Sequence, residues 1–112
     1  MNPIALITGA AGGLGQSLAA KLTEAGWQLI VTSRDAQRLR DAYGNQHLQI
    51  AADCATPEGA RQIIEAANAQ GLVPQALAHC AGNIRLGALH RMGEQEFRET
   101  LDANLVSAFH TL

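Results

Sequence analysis

Residues 4–15 read Ile-Ala-Leu-Ile-Thr-Gly-Ala-Ala-Gly-Gly-Leu-Gly and carry the chain's clearest chemical signal. Glycine loses more conformational freedom on folding than any other residue. A plain strand-to-helix turn needs one or two glycines, whereas Gly9, Gly12, Gly13 and Gly15 crowd into this one. The spacing is Thr8-Gly9, three residues, Gly13, one residue, Gly15. Such a bare backbone implies that something comes close to it. The stretch lies between an apolar run and an amphipathic segment, so free N–H groups and the positive end of a helix dipole should converge on it. That is a seat for a phosphate.

The elements that would hold this loop follow from patterning. Ile4 to Ile7, after Pro3, suits a strand buried on both faces. Leu14, Leu18, Leu22 and Ala25 form one stripe of a helix that Gly26 ends. Residues 27–32 (WQLIVT) form a second strand, and Asp35 can cap a short helix running to Tyr43 and stopping at Gly44. Residues 47–52 predict a third strand. Thr56-Pro57-Glu58 supplies a cap, a first-turn proline and an early acid for a helix closed by Gly71, with Ile63, Ile64 and Ala67 on its buried side. Residues 74–80 predict a fourth strand. From Gly93 the pattern is helical to the end, with Phe97, Leu101, Leu105, Ala108, Phe109 and Leu112 on one stripe. Alternating strands and helices predict the α/β class: a doubly wound parallel sheet of Rossmann type, right-handed crossovers and strand order 3-2-1-4.

The chain has 112 residues, enough for one domain with a modest core spanning residues 1–112. Hydrophobic residues make up 47% and charged residues 16%, a globular balance. A net charge of −2 with no basic face argues against nucleic acid, and no apolar run is long enough to span a membrane. The first strand begins almost at Met1, leaving no room for a charged leader and cleavage site, so a cytoplasmic location is expected. Cys54 and Cys80 lack metal-ligand spacing. In the expected strand order they sit three strand spacings apart, about 14 Å, too far for a disulfide.

These residues resemble the short-chain dehydrogenases/reductases along the whole chain. The family fingerprint T-G-x-x-x-G-x-G is matched from Thr8 to Gly15 at every specified position. The family's acid after strand three, which meets the adenine, corresponds to Asp53, followed by Cys54. Its N-N-A-G after strand four appears as His79-Cys80-Ala81-Gly82, so the last two positions match and the two asparagines do not. The asparagine of its Asn-Ser-Tyr-Lys catalytic set corresponds to Asn104. The resemblance implies a nicotinamide dinucleotide as ligand. Gly9 would permit the turn, with Ala11 inside the loop. Gly13 would let the backbone approach the diphosphate, Leu14 would offer a backbone N–H, and Gly15 would let the helix pack on the sheet. Ala81 and Gly82 would bring backbone to the ribose.

Ser33-Arg34 ends the second strand, where the adenosine ribose is expected. An acid there selects NAD, whereas an arginine can pair with a 2′-phosphate, so NADP is expected ahead of NAD. Asp35 lies past the strand end and reads as a helix cap. His79, without a base partner or further ligands, reads as a packed or solvated ring. The family's serine and Tyr-x-x-x-Lys are missing: Tyr43 and Lys21 are the sole tyrosine and lysine, in the wrong order and far apart. The resemblance therefore implies the N-terminal half of a longer oxidoreductase. Such a half would be inactive alone and prone to self-association or to pairing with the missing half. The alternative is a non-catalytic nucleotide-binding or interaction module. A methyltransferase, which also begins with a strand and a glycine loop, would want an acid where Ser33-Arg34 stands.

Overall fold

The computed structural model describes residues 2–83 and 86–112. The expected loop after the fourth strand lies partly outside the described residues. The elements run β1 (Ile4–Thr8), α1 (Gly13–Glu24), β2 (Gln28–Ser33), α2 (Ala36–Tyr43), β3 (Leu48–Ala51), α3 (Pro57–Ala69) and β4 (Ala76–His79). A single 3₁₀ turn (Leu89–Arg91) precedes the last helix. That helix comprises α4 (Glu94–Leu101), a π-helical segment (Asp102–Val106) and α5 (Ser107–Thr111).

All pairings are parallel and the order is β3-β2-β1-β4. Leu6 stands between Ile30 and Leu77, which sets the register at the centre of the sheet. Alternate residues of the central strands serve opposite layers. Ile7, Leu29 and Val31 meet Ala19 of α1 and Leu39 and Tyr43 of α2 on one face. Leu6, Ile30 and Ile50 meet Ile63 and Ala67 of α3 on the other. Strands covered on both sides must be apolar throughout, which explains the unbroken runs in β1 and β2. Each fully buried Ile or Leu contributes on the order of 1.5–3 kcal/mol. Both expected caps are present: Asp35 Oδ1 accepts from the N–H groups of Gln37 (2.9 Å) and Arg38 (3.2 Å), and Thr56 Oγ1 accepts from Gly59 N–H at 3.0 Å.

Three packing expectations are corrected. Leu14 is 73% exposed and Ala25 is also outside, so α1 is buried through Gly15 and Ala19, flanked by Leu18 and Leu22. Ile64 is exposed as well, because α3 needs only the narrow line of Gly59, Ile63 and Ala67 to seat on the sheet. The third concerns the last helix, whose bulky stripe points away from the protein: Leu105 is 64% and Phe109 75% exposed. Small residues at i, i+4 and i+8 form its inner line instead, namely Ala103, Ser107 and Thr111, with Ser107 buried. Small side chains let the helix come close, and the large ones are left outside.

Candidate functional site

The carboxyl ends of the strands open onto a cleft of about 660 Å³. This is where an open parallel sheet with diverging crossovers takes its ligands. Three walls come from the loops after β1, β2 and β3, and the loop after β4 together with the last helix closes the remainder.

The β1–α1 loop contributes Gly9, Ala11 and Gly12. Gly9 has φ +60°, and a Cβ there would stand 2.5 Å from the carbonyl carbon and oxygen of Cys80. Its freedom therefore serves both the turn and the contact with the end of β4. At Gly15 a Cβ would stand 2.6 Å from Gly9 O and 2.8 Å from Ala10 Cα. This glycine packs the helix against its own loop, a correction to the expected contact with the sheet. Gly13 faces open space. No side chain caps the first turn of α1, so its N–H groups, including that of Leu14, are not occupied by a neighbouring side chain. Thr8, Gly13, Leu14 and Gly15 support the loop or stand beside the cleft and do not line it.

After β2, Ser33 and Arg34 reach the cleft, and so does Arg38 from the first turn of α2. Ser33 Oγ accepts from Asp35 N–H at 3.3 Å, while the Asp35 carboxylate is committed to its helix. After β3, Asp53 and Cys54 line the wall. Asp53 Oδ1 accepts from Ala55 N–H at 2.9 Å, and its carbonyl accepts from the Thr56 hydroxyl at 3.0 Å. A Cβ at Gly59 would overlap the Asp53 backbone, so α3 begins pressed against this corner. Burial, with the neighbouring Asp53 charge, pushes the Cys54 thiol up, and burial does the same to Cys80. Both cysteines are free.

After β4, Cys80, Ala81, Gly82 and Asn83 line the cleft. Asn104 is exposed and clamps this loop. Its Oδ1 accepts from Asn83 N–H at 3.3 Å, and its Nδ2 donates to the carbonyls of Asn83 (3.0 Å) and Thr100 (2.9 Å). Gly82 has φ +153°, a backbone conformation that favours glycine, and a Cβ there would press on the Asn104 side chain. The π-helical segment places Asp102 and Ala103 on the cleft wall around Asn104, and Ser107 joins them from the start of α5. Single π turns inside α-helices recur at functional sites.

Several contributors had little sequence signal. Tyr43 donates its hydroxyl to Ala10 O at 2.6 Å, tying α2 to the glycine loop, and burial raises its pKa. Nothing local in the sequence points to residue 10 as its partner. Arg38 had no signal beyond its distance of four residues from Arg34. No tyrosine or lysine lines the cleft, and no group of His, Cys, Asp and Glu suited to a metal occurs among the described residues. No helix among the described residues is long and apolar enough to cross a membrane.

A parallel sheet in order 3-2-1-4 with a bare glycine loop at its carboxyl edge defines a Rossmann-type nucleotide-binding portion. Residues 3–112 match the family described as short chain dehydrogenase, and the chain belongs to it. Among curated relatives it is similar to 3-oxoacyl-(acyl-carrier-protein) reductase FabG of Staphylococcus epidermidis, 29% identical over 119 residues and covering all of this chain but 49% of the relative. The chain thus spans about half the length of the curated relatives it matches. Its fold is that of L-sorbose reductase from Gluconobacter frateurii, complexed with NADPH and L-sorbose (TM-score 0.89, 22% identity, covering 98% of this chain and 44% of that one). The 3-ketoacyl-(acyl-carrier-protein) reductase from Brucella melitensis, complexed with NADH, superposes with TM-score 0.86 at 21% identity, covering 97% of this chain and 46% of that one.

Proposed function

We propose that this chain binds NADP(H), with NAD(H) second, as the cofactor-binding portion of a short-chain oxidoreductase acting between a carbonyl and an alcohol. The observation that carries the reading is the cleft itself. A glycine loop and an uncapped helix start stand beside it, and two guanidinium groups, Arg34 and Arg38, line its wall after β2. Family membership supports it, as do neighbours of the same fold complexed with NADPH and with NADH. Backbone N–H groups around Gly13, Leu14 and Gly15 would hold the diphosphate. Ser33 and Arg34 would meet the 2′-phosphate, Asp53 and Cys54 the adenine, and Ala81 and Gly82 the second ribose. When bound, the nicotinamide supplies or accepts the hydride.

The residues present bind and orient, but they hold no proton donor of the family's kind. The single tyrosine, Tyr43, is spent on Ala10 and lies under the loop. This favours a second reading, a nucleotide-binding module without chemistry of its own. Titration with NADPH, NADH and S-adenosylmethionine, followed by fluorescence or calorimetry, tests the ligand. The reading requires NADPH to bind best, and preference for S-adenosylmethionine overturns it. An assay of NADPH oxidation over a panel of small ketones and aldehydes separates the two readings, and no turnover is expected from this chain. The exposed apolar face from Phe97 to Phe109 and the edge position of β4 among the described residues also support self-association or pairing with a further segment of an oxidoreductase. A cytoplasmic location completes the proposal.

A further inference from the structure

His79 stands where the family carries an asparagine, and its ring makes contacts that an asparagine could not span. On one side, Thr8 Oγ1 lies 2.8 Å from Nδ1 and also accepts from Ala81 N–H at 3.3 Å. On the other, Ser107 Oγ lies 3.1 Å from Nε2 and donates to the carbonyl of Ala103 at 2.7 Å. These secondary bonds fix the direction of the chain. The Ser107 hydroxyl has spent its proton on Ala103, so it accepts from Nε2–H. With the ring proton on Nε2, Nδ1 is the acceptor and takes the Thr8 hydroxyl proton. Thr111 Oγ1 approaches Nδ1 at 3.3 Å. The ring therefore links β1, β4, the loop after β4 and the last helix in one directional series.

We propose that neutral His79, as the Nε2–H tautomer, is a positioning residue that docks the last helix, and with it the Asn104 clamp, onto the carboxyl end of β4. Ser107 is the buried point of the helix's inner line, three residues beyond Asn104, so its seat fixes where Asn104 meets the loop at Asn83. Protonation at Nδ1 would put two donors, Ala81 N–H and Nδ1–H, on Thr8 and strand the threonine proton. The groups around the ring, Thr8, Ser107 and Thr111, are neutral. The titratable group next to Ser107 is the Cys54 thiol, held neutral by burial. Burial likewise holds the His79 ring in its neutral form.

The two ring nitrogens can be separated by substitution. An asparagine amide reaches about as far as Nδ1, and a glutamine amide about as far as Nε2. Amide hydrogen exchange of the last helix and of β1, measured by NMR on the chain without added ligand, is the readout, so the outcome does not depend on the cofactor reading. His79→Asn is expected to speed exchange at residues 104–108 about tenfold while β1 stays protected, and His79→Gln is expected to restore the helix. Ser107→Ala should match His79→Asn, and the double variant should add nothing further. Nitrogen shifts of the imidazole, assigned by their loss in His79→Asn, should show Nδ1 bare and Nε2 protonated at neutral pH. A protonated Nδ1, unchanged helix exchange in His79→Asn, or additive effects of the two substitutions would overturn the proposal.

Discussion

Replacing Gly9 by alanine separates two reasons for glycine in the loop. The residue sits at φ +60°, and its missing Cβ would fall 2.5 Å from the Cys80 carbonyl group and 2.6 Å from Ala81 N, all backbone atoms that cannot rotate aside. An L-residue in this region costs about 1–2 kcal/mol, and forced overpacking typically costs a further 1–3 kcal/mol. Gly9→Ala should therefore destabilise by about 2–5 kcal/mol, a large share of the ordinary stability of a domain this size. Gly26→Ala is the control, with φ +90° but nothing within 4 Å of a new Cβ, so only the conformational cost applies. Gly13→Ala has neither penalty in the free protein, and it replaces glycine with the best helix former at the first position of α1. It should be at least as stable as the parent and yet bind the dinucleotide more weakly, because the new methyl occupies the open approach to the loop. Urea unfolding followed by circular dichroism, paired with NADPH titration, checks all three. If Gly9→Ala unfolds at the same urea concentration as Gly26→Ala, the contact with β4 does not constrain the loop. If Gly13→Ala binds NADPH like the parent, the phosphate does not sit there.

Removing the Arg34 guanidinium should weaken NADPH binding about 10-fold, the lower end of what a charge-assisted bond of roughly 1.5–3 kcal/mol implies, because the site is open to solvent and Arg38 remains. NADH binding should stay nearly constant, and the Arg34→Ala/Arg38→Ala pair should bind the two cofactors alike; calorimetric titration decides. Stability should fall with acidity through His79. Its pKa is lowered in the fold, so the unfolded chain takes up the proton first. The ring's contribution is complete above about pH 6.5 and is lost as pH drops from there toward the lower folded value, a slope that His79→Asn should flatten in urea melts at stepped pH. Light scattering at tens of micromolar should report a mass above that of one chain, and Phe109→Glu should return it to the monomer; a clean monomer of the parent removes the association proposal.

Much of the scaffold was legible from residue types alone, because those signals are local. The two-faced strands announced themselves as unbroken apolar runs, and Asp35 and Thr56 marked their helix starts by hydrogen bonds reaching only two or three residues ahead. The glycine spacing located the loop, and the alternation of elements implied the strand order that the sheet adopts. What stayed hidden depends on partners distant in sequence. Nothing near Gly9 told that Cys80 would lie against it, or near Tyr43 that its hydroxyl would reach Ala10. Helical periodicity marked the apolar stripe of the last helix, but periodicity carries no information about which side another element occupies. Tertiary packing chose the side of Ala103, Ser107 and Thr111, since only small residues let the helix close on β4, where His79 could bridge to Ser107 across 28 positions of sequence. Hydrogen bonds and steric contacts act over a few ångströms in space, so the fold had to bring those residues together before their chemistry could exist.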